Sequence, residues 1–180
     1  MNKVASLILV ILLVPAAYAA EQLLPAVIAD AVAPLPEALR GDATVVMYDK
    51  DGERKVLRQG TNDMICEPDV PGDQLYEVTC YPRSHDLFRQ RRARLMAEGK
   101  DGEWRAIISK EIEAGTLKWP AVATHYQLTG PGIDNAMPLT TVYLPFATNQ
   151  STGLSEKRDH HRPWLMRAGT PFAHIMIPGK

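Results

Sequence analysis

Apolar and polar positions change their period twice along this chain. Residues 43–48 and 54–58 are rich in β-formers and flank Asp49-Lys50-Asp51-Gly52, which predicts a hairpin. Residues 63–66 and 75–81 predict a second strand pair. Within the latter, Tyr76, Val78 and Cys80 share one face at period two, which turns the Cys80 sulfur inward. The period then lengthens, and residues 84–98 and 101–114 predict two helices. In the second, Trp104, Ile107, Ile108 and Ile112 form a single apolar stripe, with Asp101 suited to cap its start and Gly115 its end. Extended segments return at 121–128, 140–144 and 172–177, separated by Thr129-Gly130-Pro131-Gly132 and by a polar stretch over 148–162. Upstream, residues 26–40 read as one or two short helices interrupted by Pro34 and Pro36. Strands, two helices, then more strands predict an α+β fold: one domain, an antiparallel β-sheet, and two central helices packed on one face.

The first nineteen residues stand apart from this pattern. Met1-Asn2-Lys3 is a short basic lead, residues 4–14 are apolar except for Ser6, and Ala17-Tyr18-Ala19 carries the small residues that a signal peptidase reads. The apolar run falls short of the roughly 20 residues that a bilayer-spanning helix needs. Residues 1–19 are therefore expected to be a cleaved signal peptide, and 20–180 a single secreted α+β domain with no transmembrane segment after cleavage.

Composition sharpens this reading. Hydrophobic residues are 46% of the 180, enough to exclude general disorder, although fifteen of them lie in the first nineteen positions. Removing that segment takes away only Lys3, which leaves 19 basic against 21 acidic side chains. Such a balance gives no net pull toward nucleic acid. Export also changes how Cys66 and Cys80 read: in an oxidising compartment an even pair predicts a disulfide. Closing a loop of about 15 residues is worth ~3 kcal/mol in the chain-entropy account. Two cysteines without a CxxC motif exclude a four-cysteine zinc or iron–sulfur site.

Four features carry candidate chemistry. His125, His160 and His174 would serve as ligands if a metal activated water here, but no HExxH or HxH spacing accompanies them. Ser84-His85-Asp86 spells the residues of a hydrolase triad, yet consecutive helical residues diverge by ~100° each and cannot converge. Ser84 as a helix cap, with Asp86 in the first turn, accounts for the same letters. Arg83, Arg89, Arg91, Arg92 and Arg94 make the first helix basic, with Arg91 and Arg92 flanking its apolar seam. A guanidinium at that edge would clasp a carboxylate or phosphate, or simply extend over the core margin into water. The run from Arg162 to Ile177 combines Trp164, Arg167, Thr170 and His174 with a dense apolar pattern. That suits either a core strand or the wall of a ligand cleft.

The blocks Arg58-Gln59-Gly60-Thr61-Asn62 … Cys66 … Pro68-Asp69 … Pro71-Gly72 … Cys80 and Arg162-Pro163-Trp164-Leu165-Met166 … Ala168-Gly169-Thr170-Pro171 … Ala173-His174-Ile175-Met176 resemble those of a group of secreted bacterial proteins with no established activity. The resemblance covers most of the chain after residue 19. It implies a periplasmic or extracellular bacterial location and carries over no catalytic residue. Two functional expectations follow from the residues. The first is a non-enzymatic domain binding a small molecule or a protein partner through His174, Thr170, Arg167, Trp164, Asn62 and Arg91, near the loops at Asn62 and Gly130. The alternative is a histidine-centred, metal-dependent hydrolase using His125, His160 and His174. No cofactor motif is present, and no catalytic residue is assigned.

Overall fold

The computed structural model describes residues 16–72 and 75–179. Residues 1–15 of the expected signal peptide lie outside them, while 16–19 open the first helix, α1 (Ala16–Ala31). Helix α2 (Glu37–Arg40) follows the Pro34–Pro36 interruption. Then come β1 (Thr44–Tyr48), β2 (Arg54–Arg58), β3 (Met64–Glu67) and β4 (Tyr76–Pro82). The helices α3 (Asp86–Ala97) and α4 (Trp104–Glu113) separate these from β5 (Ala123–Gly130) and β6 (Met137–Tyr143). A short α5 (Asn149–Thr152) precedes β7 (Trp164–Met166) and β8 (His174–Pro178). The eight strands form one sheet in the order β2-β1-β3-β4-β5-β6-β8-β7.

The sheet is mixed, which corrects the expectation of a wholly antiparallel one. β1 and β3 run parallel, with Val45 opposite Cys66. The cause is a tight crossing between β2 and β3. The backbone N–H groups of Thr61 and Asn62 donate to the Asp42 carbonyl oxygen at 2.9 and 3.0 Å, so the chain passes over the start of β1 and emerges on its far side. Only glycine fits at that crossing, because a Cβ on Gly60 would lie 2.2 Å from the Asp42 oxygen. Having reversed once after β2, the chain then necessarily runs alongside β1 in the same direction.

Period-two alternation assigns each strand residue to a face. On one face, Val45, Met64, Cys66 and Cys80 cluster with Ala31, Val32 and Leu35 from α1 and the segment after it. Cys66 and Cys80 are directly opposed in the β3–β4 ladder and joined as a disulfide. The Tyr76 hydroxyl donates to Asp30 at 2.5 Å and ties α1 to β4. On the other face lie Val46, Ile65 and Tyr81, followed across the sheet by His125, Tyr143 and His174. Here α3 makes its contacts, and Phe88, Leu95, Trp104, Ile108 and Phe172 form a second core cluster. Helical segments thus contact both faces of the sheet.

The helix starts differ from expectation. A 3₁₀ turn over Arg83–His85 leads into α3, and Ser84 makes no capping bond to it. Asp86 instead accepts from Arg54 at 2.9 Å, pinning the β1–β2 hairpin to the helix. Asp101 does not cap α4 either, since the Lys100 carbonyl oxygen accepts from Glu103 and Trp104. Gly115, at φ 72°, does follow the end of α4. Hydrogen bonds also tie down the two outer strands. Arg58 on β2 donates to the carbonyl oxygens of Ala43 and Arg40, and the β7 edge donates from Leu165 N to Ser155 O at 2.9 Å.

Candidate functional site

Three histidines converge on the face contacted by α3, but they are not the expected three. His125 on β5 and His174 on β8 both flank Tyr143 of β6, with ring centroids 4.8 and 5.1 Å from it. The third is His85, in the turn that opens α3, 4.9 Å from the same tyrosine ring. His85 Nδ1 lies 2.7 Å from His125 Nε2, so one ring donates and the other accepts. Burial lowers the His85 imidazole to about 4, with nearby Arg89 acting in the same direction. Burial also drives His125 well below the ordinary histidine value, and the facing His85 adds to that.

The tautomers follow from the partners. His174 Nδ1 faces the Phe172 carbonyl oxygen at 2.7 Å, so Nδ1 carries the proton and Nε2 presents a lone pair. His85 Nε2 is buried without a hydrogen-bond partner, as is Trp119 Nε1 in a ring 4.7 Å away. An unprotonated Nε2 on His85 is the less costly state, which makes His85 Nδ1 the donor to His125.

Three further arginines act on Tyr143 of this layer. Arg92 on α3 and Arg105 on α4 both lie over the Trp104 ring, at 5.4 and 4.2 Å from its centre. A stacked guanidinium keeps its N–H edge free for bidentate bonding. Arg167, in the turn between β7 and β8, is the third. Desolvation lowers the Arg105 guanidinium, and Arg167 pushes it in the same direction. Burial lowers His174, partly offset by its bond to Phe172, and Arg167 and Arg105 lower it further. No ion pair or side-chain hydrogen bond engages any of the three among the described residues. Glu67, Glu77 and Asp101 are the carboxylates acting on this group at longer range.

Neighbouring arginines behave quite differently. Arg89 donates to Glu67 from Nε at 3.0 Å and also from its terminal nitrogen, and Glu67 accepts from the Tyr81 hydroxyl at 2.7 Å. Arg91 is paired with Glu111 at 2.8 Å and reaches Glu98 at 3.9 Å.

The backbone around Arg167 is unusual. Among the described residues, Arg167 (φ 55°) and Phe146 (φ 62°) alone adopt left-handed backbone without being glycine. Thr170 braces the turn through Oγ1, which donates to the Arg167 carbonyl oxygen at 2.7 Å. Phe146 N donates to Thr170 O and Gly169 N to Ala147 O, each at 2.8 Å, which ties the loop after β6 to the β7–β8 turn.

The residues expected to bind a ligand are therefore divided. His174, Thr170 and Arg167 come together at the β7–β8 turn. Trp164 shares the His174 face but is buried opposite Met176. Asn62 donates to Leu39 O and accepts from Met64 N, so it braces α2 against β3, away from the arginines. Arg91 is occupied by Glu111, and the neighbouring Arg92 is the one left unpaired. The metal set does not form. His125 is buried against His85 while His160 is exposed, and no group of three His, Cys, Asp or Glu among the described residues is arranged to hold a metal. Two clefts lie elsewhere. One of about 490 Å³ is lined by Lys157, Arg158, Asp159 and Arg162, and one of about 520 Å³ runs beside Leu24, Ile28 and Val32 of α1.

Arg105, Tyr143 and His85 were not singled out as site residues from the sequence. Arg105 and Tyr143 have no local signal, and His85 was masked by its place in a helix-start pattern. The comparisons add no relative: no family model, curated protein or solved structure matches the chain.

Proposed function

We propose that this is an exported, non-enzymatic domain that binds a small anionic ligand. The seat is the group formed by Arg92, Arg105 and Arg167 with Tyr143 and His174. In this reading α3 and α4 together cover one face of the sheet, and their exposed margin supplies two of the three cations. A single observation carries it: Arg105 and Arg167 act on one another, Arg92 like both of them acts on Tyr143, and none of the three has an ion-pair partner, while adjacent Arg89 and Arg91 are paired. Gathering like charges is unfavourable, and an anion bound among them reverses the sign of that interaction. The Cys66–Cys80 disulfide supports an extracytoplasmic location, in keeping with the signal-peptide reading of residues 1–19.

Titration calorimetry with phosphate and sulfate tests the proposal. Binding should weaken about tenfold in Arg105→Ala and again in Arg167→Ala, the loss of about 1.4 kcal/mol each. Arg91→Ala should stay within twofold of the parent. Failure of both anions to bind at low ionic strength, or equal losses in all three variants, would refute it.

A further inference from the structure

We infer that the ligand of this site is an anion attached to a flat apolar body, such as an aryl phosphate or aryl carboxylate, with Phe146 as the platform for that body. This rests on the anion-binding reading above and narrows its ligand class. The first observation is Phe146 itself, an aromatic side chain that is 54% exposed. Its backbone is left-handed, a conformation in which a bulky residue is a genuine outlier and glycine or asparagine is the ordinary choice. Neither packing nor backbone preference explains a phenylalanine there.

The second observation is its position. Phe146 N is bonded to Thr170 O, and Thr170 N and Oγ1 both bond back to Arg167 O. Two outlier residues, one aromatic and one cationic, thus stand on the same pair of hydrogen-bonded loops. Strained backbone of this kind persists where the surroundings over-determine it, and it concentrates at ligand clamps. Phe146 also follows Tyr143 by three residues, and Tyr143 packs beside His174 and interacts with Arg105 and Arg167. The shared loops are thus the link between an anionic group held by Arg105 and Arg167 and a ligand body resting on Phe146. Stacking of two flat apolar surfaces there would remove from water the area that the fold leaves exposed.

Matched probes test this on the full-length domain: phenyl phosphate against inorganic phosphate, and benzoate against acetate, each titrated by calorimetry. The aryl member of each pair should bind at least tenfold more tightly. Phe146→Gly, which suits the left-handed backbone and keeps the fold, should abolish that advantage while leaving the affinity for inorganic phosphate within twofold. Arg105→Ala should weaken both members of a pair by the same factor. Equal affinity for aryl and simple anions, or an aryl advantage surviving in Phe146→Gly, would overturn the inference and leave the anion reading standing. Absence of binding by all four probes would overturn both.

Discussion

His85 Nδ1 stands 2.7 Å from His125 Nε2, and the two imidazoles meet edge to face, 40 residues apart in sequence, with 0% and 3% of their surfaces exposed. Such a pair is stable only while one ring donates to the other. A proton added to His125 Nε2 would set N–H against N–H and leave an uncompensated positive charge inside the core.

Acid should therefore unfold the protein through this layer. In the folded state His85 is pushed down to about 4, and His125 and His174 are also lowered, against 6.5 for an ordinary histidine. Between pH 6.5 and 4 the unfolded chain thus binds more protons than the folded one, and stability falls as pH falls. His85 alone accounts for roughly 3 kcal/mol across that window. Urea midpoints at pH 7, 5.5 and 4.5 should drop steadily, and a flat profile would contradict the buried neutral pair.

Anion affinity should move the other way. His174 Nδ1–H is committed to Phe172, so Nε2 donates to a bound anion only after the ring gains a proton. Sulfate, which does not titrate in this range, should bind more tightly as pH falls from 7.5 to 6, by at most about tenfold per unit. In His174→Asn that slope should vanish. A slope unchanged by the substitution would remove His174 from the site.

Arg167→Gly should separate stability from binding. Glycine adopts φ 55° without steric cost, whereas a non-glycine residue there stores on the order of 1 kcal/mol. Thermal melts without ligand should show equal or slightly raised stability, together with about tenfold weaker phosphate binding. A clear loss of stability would mean that the Arg167 side chain supports the turn itself.

Glu67 is placed where a lost charge is expensive. It pairs with Arg89 in surroundings that leave the two side chains 12% and 13% exposed, and it also accepts from Tyr81. Glu67→Gln leaves the guanidinium buried beside a neutral amide and should cost about 3 kcal/mol by urea denaturation. The double change Glu67→Leu with Arg89→Met should recover much of that. A cost below about 0.5 kcal/mol for Glu67→Gln would show that water reaches the pair.

Much of the strand content was legible because alternation and turn chemistry are local. The 54–58 reading coincides with β2, and Asp49 closes the preceding turn by accepting from Asp51 N and Glu53 N. The parallel β1–β3 pairing was hidden because it depends on Gly60 crossing Asp42, a contact between segments that look separate in sequence. β7 was hidden by its length of three residues. At the site, a helical wheel places Arg91 and Arg92 alike on either side of the α3 seam. What distinguishes them is Glu111 on α4, and only the packing of one helix on the other reveals which arginine it neutralises. His85 likewise has no meaning until β5 brings His125 beneath it.

The strand order has a consequence for how the molecule comes into being. β7 pairs only with β8, which in turn pairs with β6, so the earlier-synthesised strand is the outer one. Trp164–Met166 therefore has no strand to pair with until His174–Pro178 has emerged and taken its place beside β6. Arg167 and His174, at the two ends of the turn that joins these strands, reach their positions in this last step. A polypeptide arranged so keeps an open sheet edge at β6 until its last strand has been made, and that strand completes the fold from the C-terminal end.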